Sequence, residues 1–171
     1  MNKLEATKYI LLQLCNWYYE LNPSKRVSGD NDLSILKSLK LIFFLSTIKN
    51  GEDTLLGDPF DEFKAMPLGP VETDVYDFFK ENSYIINYHK TFDREITYSL
   101  KDHEVKKIDS LINELKKLNF DLVNKSAFYL VDLTHEWDCW KNSFSEAERK
   151  GSNSKDMKID EIIRSNKYYS Y

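Results

Sequence analysis

The chain has 171 residues, 42% of them hydrophobic, with 28 acidic and 24 basic side chains and a net charge of −4, which fits one domain with a core of its own. Cys15 and Cys139 stand far apart without paired spacing, so a disulfide framework is excluded and a reducing compartment is expected. A net negative charge without a basic recognition helix argues against direct nucleic-acid binding. Lys40 interrupts the longest apolar run, Leu39–Ile48, which is too short for a bilayer, and Glu5 and Lys8 break any leader-like segment, so a cytoplasmic protein is expected.

Residues 3–20 read as the first helix. Ala6, Ile10, Leu14 and Trp17 form one stripe, and Leu11, Cys15, Tyr18 and Tyr19 widen it almost all the way round, as in a central helix. Asn22-Pro23-Ser24 ends it, and residues 25–31 are a polar loop. A second helix is expected from a cap at Asn31 or Asp32 to about Lys49, with Leu33, Leu36, Lys40, Leu41, Phe44, Leu45 and Ile48 at helical spacing. Asn50-Gly51 is its stop. Residues 52–66 are an acidic connection, long enough to be either functional or pinned by Phe60 and Phe63.

Met66-Pro67-Leu68-Gly69-Pro70-Val71 then stands out. Two prolines and a glycine rule out a helix or a central strand and predict an extended elbow. Gly69 as N-cap and Pro70 at N1 would start an amphipathic helix whose Val71, Val75, Phe78 and Phe79 face inward. The surrounding residues 51–100 hold eleven acidic and four basic side chains, a net −7 that disfavours phosphate binding and suits a basic protein partner.

Tyr84–Tyr88 and Ile96–Leu100 alternate as strands do, predicting a small antiparallel hairpin across residues 84–100. Ile108, Leu111, Leu115 and Leu118 mark a helix over 104–118. Another is expected at about Ser126–Asp132, running into Leu133–Trp140 and a polar continuation over Phe144–Lys150. Residues Gly151–Asp156 read as a loop and Ile159–Ser165 as a last short helix. The class is therefore mainly α (α+β), a single-domain bundle of five to six helices with one small antiparallel β-hairpin. Residues 1–150 would form the domain, with 151–171 part of it or a loosely attached tail.

Chemistry is sparse. There is no glycine-rich phosphate loop, and His135-Glu136 begins like a zinc-protease helix but has Cys139 where a second His belongs. His135 and Cys139 at i, i+4 could hold a metal with Asp138, yet no spacing supplies the remaining ligands. Neither metal, cofactor nor enzymatic activity is expected, and a metal-dependent enzyme centred on His135 is the weaker alternative. His135 is instead expected to hydrogen-bond within the fold, beside Trp137 and Trp140.

Four segments, taken in order, resemble one family. They are the helix Leu33–Ile48, the elbow Phe63–Val71 with its Ala65-x-x-x-Gly69-Pro70-Val71 pattern, the following Asp74-Val75-Tyr76-Asp77-Phe78, and Leu130–Trp140 with Leu133-Thr134-His135. Together, over roughly residues 5 to 145, they resemble the Panacea antitoxin domain, the SocA-like family that includes phage-associated GepA-like proteins. The resemblance implies a protein that binds and neutralises a toxin encoded by an adjacent gene. It also implies a second possibility, an adaptor that delivers its partner to a protease. Some members carry a separate DNA-binding domain, and this sequence shows none. The residues expected to meet the partner are Met66, Pro67, Leu68, Gly69, Pro70, Val71, Tyr76, His135, Trp137 and Trp140.

Overall fold

Two helices carry much of the core because their sequences are apolar on nearly every side. Helix α1 (Lys3–Leu21) buries Ala6, Ile10, Leu14 and Trp17 from one stripe and Leu11, Cys15 and Tyr19 from its neighbours. Helix α3 (Ile35–Thr47) buries every residue except Leu36, including Lys37 and Lys40. Between them the short α2 (Pro23–Ser28) uses Pro23 in its first turn and ends on Gly29 at φ 68°. The computed structural model describes residues 1–171.

The cap of α3 differs from expectation. Ser34 accepts from the Lys37 amide, while Asp32 pairs with the buried Lys37 ammonium at 2.6 Å and Asn31 is engaged by Leu33 and Thr91. Both acidic and amide candidates already serve other partners, so the helix begins at the serine. After α3, Leu55, Leu56, Phe60 and Phe63 are all buried, so the long acidic connection is pinned to the core as its two phenylalanines predict.

The elbow is a β-hairpin. Strand β1 (Phe63–Met66) pairs antiparallel with β2 (Gly69–Glu72), Ala65 opposite Pro70 and Met66 opposite Gly69, around a two-residue Pro67-Leu68 turn. A proline is tolerated because β2 is an edge: the sheet order is β2-β1-β3, with β3 formed by Lys155–Asp156. The following helix α4 (Thr73–Glu81) starts later than expected, so Gly69 and Pro70 are not its cap and first residue. Glu72 caps it, its Oε2 accepting from the Val75 amide at 2.9 Å. Val75, Phe78 and Phe79 face inward as the periodicity requires.

Residues 84–100 do not form the expected hairpin. They make turns around an isolated Ile86–Thr91 bridge, and the Asn87 side chain accepts from the amides of His89 and Lys90. Adjacent Ile85 and Ile86 are both buried while Tyr84 and Tyr88 are 60% and 71% exposed, a pattern no alternating strand can satisfy.

The last third packs back over the hairpin. Helix α5 (Asp102–Leu118) lays Ile108, Leu111 and Leu115 on the core. Helices α6 (Ala127–His135) and α7 (Asp138–Arg149) are separated by a break at Glu136-Trp137, where one longer helical stretch was expected. Trp137 enters the core at that break, edge-on to Phe43 at 4.9 Å, and donates its indole N–H to the Tyr168 carbonyl at 3.1 Å. Within the expected loop 151–156 lies β3, and α8 (Ile159–Arg164) buries Ile162. The class expected from sequence holds, mainly helical with one small antiparallel sheet. The α-helices number eight rather than five to six, because the short α2 forms in the expected loop and the break at Glu136-Trp137 divides α6 from α7.

Candidate functional site

The hairpin divides its surroundings into a closed side and an open side. On the closed side, Gly69 has φ +94°, where a side chain is strained, and a Cβ there would sit 2.4 Å from Thr134 Oγ1 and 3.0 Å from Lys40 Nζ. Glycine is therefore required twice, by the turn and by the close approach of α3 and α6. Lys40, fully buried in α3, donates to the Pro70 carbonyl at 2.6 Å. It occupies the outer edge of β2, so an edge-strand carbonyl is satisfied by an inward-pointing amine. No carboxylate pairs with Lys40, and burial alone pushes its pKa down to about 7.

Two aromatic residues complete the closed side. Trp140 donates its indole N–H to the Met66 carbonyl at 2.9 Å, tying α7 to the first strand. His135 stacks flat on Trp140 with ring centroids 3.7 Å apart, and Phe144 continues the stack 5.2 Å from Trp140. Burial holds the His135 imidazole below its ordinary pKa, reinforced by the nearby Lys40 charge. Its Nε2 is buried without a hydrogen-bond partner.

The open side is an apolar groove of about 410 Å³ lined by Ile35, Leu36 and Leu39 of α3, Met66, Pro67, Leu68 and Val71 of the hairpin, Tyr76 of α4, and Tyr88. Leu68 at the hairpin turn is 45% exposed, and Tyr88 is more exposed still. An exposed Leu and Tyr beside a contiguous apolar trough form the kind of patch that marks an interaction site or a ligand groove. Apart from the two tyrosine hydroxyls, the groove lacks the convergent polar side chains that orient a small molecule.

The family model described as Antitoxin SocA-like, Panacea domain, matches residues 39–141, more than half of the chain. The chain belongs to this antitoxin family. No curated protein and no solved structure matches it. In this Panacea domain the matched span runs from the middle of α3 through the hairpin, α4, α5 and α6 to the first turn of α7. It thus contains the hairpin and most of the residues on both of its sides.

The residues singled out from sequence fall on different sides. Met66, Pro67, Leu68, Val71 and Tyr76 line the groove together. Gly69, Pro70, His135 and Trp140 hold the closed side, and Trp137 is wholly within the core. Sequence reasoning missed Ile35, Leu36, Leu39 and Tyr88. Nothing local marks the first three, because α3 is apolar and buried on nearly every side. Tyr88 was hidden by its reading as part of an alternating strand.

His135 and Cys139 are not i, i+4 on one helix, since His135 ends α6 and Cys139 lies in α7 beyond the break. The ligand-type side chains that do converge are Asp61, Glu72 and Asp74, within 4.8 Å of one another. They surround the Lys3 ammonium, at 2.7, 2.6 and 2.5 Å respectively. Their charge is thereby matched by a residue of α1. Glu72, 1% exposed, also accepts from the Glu62 amide at 3.2 Å. No helix of the Panacea domain is long and apolar enough to cross a membrane.

Proposed function

We propose that this protein is a non-enzymatic antitoxin-like interaction module that binds a protein partner through the groove beside the hairpin, the partner being a toxin encoded by the adjacent gene. The observation that carries this reading is the open apolar trough formed by Met66, Pro67, Leu68, Val71 and Tyr76 against α3. Those five residues lie in the segment on which the family membership rests, and they are shaped as a contact surface without the polar constellation an active site needs.

Co-expression of the chain with the neighbouring reading frame, each under its own inducible promoter, tests it. Growth arrest by the neighbour alone, relieved by this protein, with copurification of the two, is the expected result. Leu68→Asp should abolish relief and copurification while the variant stays folded. A neighbour that is harmless and does not copurify would overturn the antitoxin reading. A partner that instead vanishes faster in the presence of this chain and an active protease would move the function to a proteolytic adaptor.

A further inference from the structure

Helix α4 separates the apolar groove from a second, acidic cleft. Its Tyr76 faces the groove, whereas Asp74, Asp77 and Glu81 line the cleft of about 330 Å³ on the neighbouring side, with Lys3, Leu4 and Phe78. Asp77 is 64% exposed and meets only Lys80 of its own helix at 3.0 Å, a solvent-screened pair. Glu81 is exposed and has no ion-pair partner. An apolar trough and an accessible carboxylate face thus lie one helix-width apart.

We propose that the groove takes a segment of a partner protein that seats aliphatic or aromatic side chains beside Tyr76 and places lysine or arginine over Asp77 and Glu81. This rests on the groove being the partner surface and adds the chemistry of what enters it. A basic flank would be steered to α4 by the acidic field and would complement Glu81, which has no ion pair, and Asp77, whose pair with Lys80 is exposed to solvent. The same charges disfavour a second copy of this chain. A second copy carries the same net charge of −4, so it brings no cationic excess to that face.

Two amphipathic peptides with one identical leucine-phenylalanine face, flanked by lysines in one and glutamates in the other, discriminate the possibilities by fluorescence anisotropy with the full chain. The lysine peptide should bind at least about tenfold more tightly at low salt, the preference shrinking as salt rises. Asp77→Lys with Glu81→Lys should remove or invert the preference, and Leu68→Asp should weaken both peptides; circular dichroism of each variant establishes that the fold is retained. Equal affinities, a glutamate preference, or a dimer in gel filtration that competes with peptide would overturn the inference. If the neighbouring gene product still copurifies with Leu68→Asp, the groove itself is not the partner site, a failure distinct from loss of the charge preference alone.

Discussion

The two sides of the hairpin are built from opposite materials. The closed side spends polar groups inside the molecule: Lys40 on the Pro70 carbonyl, Trp140 on the Met66 carbonyl, and Thr134 against the bare backbone of Gly69. The open side leaves apolar groups in water, with Leu68 and Tyr88 at its rim. Buried polar groups specify one arrangement because each alternative leaves a donor or acceptor unpaired. Exposed apolar groups specify nothing by themselves and are stabilised only when something covers them. One side fixes the position of the hairpin, and the other is the face proposed to meet a partner.

That contrast can be broken most severely at Gly69. Gly69→Ala should cost about 3 kcal/mol or more, from left-handed backbone strain added to overpacking against Thr134 and Lys40. Urea unfolding measures this directly, and a loss under about 1 kcal/mol would mean the turn relaxes freely.

Lys40 gives the next largest effect, and its sign depends on pH. In the native state its pKa is about 7, against 10.5 for the ordinary side chain. Between these values the unfolded chain binds a proton that the native chain gives up, so this residue's contribution to stability rises with pH across that window. Its penalty is full below pH 7, at about 1.4 kcal/mol for each unit of depression. Lys40→Met removes that penalty but strands the Pro70 carbonyl, at about 1–3 kcal/mol. The variant should therefore gain on wild type most in acid, and the gap should close or reverse towards pH 10.5. Parallel melting curves at several pH values would test it; a pH-independent difference would show that the amine is not desolvated as the packing implies.

Trp140→Phe should cost about 1 kcal/mol by removing the indole donor to Met66 while keeping a ring for His135 to stack on. Leu68→Asp, at the exposed turn, should change stability by less than about 0.5 kcal/mol yet abolish partner capture. A variant that unfolded would contradict the division between the two sides.

The parts legible from sequence are those where one local pattern decides. The inward stripe Val75, Phe78 and Phe79 on α4, the nearly all-round burial of α1, and the pinning by Phe60 and Phe63 follow from side-chain spacing and hydrophobicity. The strands were misplaced because their determinants are not local. Pro70 speaks against a strand until the edge position of β2 is known, and β2 is an edge because β1 pairs on its other side with residues 155–156. Alternation at 84–88 mimics a strand, but core packing takes Ile85 and Ile86 together and side-chain amides take over the backbone. Part of the groove was visible as a cluster of chain neighbours, Met66 to Tyr76. Its α3 wall was not, because nothing in a helix with a single unburied position announces that three of its apolar residues stand at an opening.

Glu72 shows how tightly distant parts of the chain are tied. One carboxylate caps α4, accepts from Glu62 and holds the Lys3 ammonium from the first turn of α1. Energies measured there one residue at a time will therefore mislead. Removing Lys3 leaves a buried negative charge, removing Glu72 leaves a cation with two exposed carboxylates, and removing both avoids each of those strandings. A double-mutant cycle on Lys3 and Glu72 should show coupling beyond the roughly 0.5 kcal/mol typical of independent sites, making the N-terminus and the hairpin a single thermodynamic unit across 69 positions of sequence.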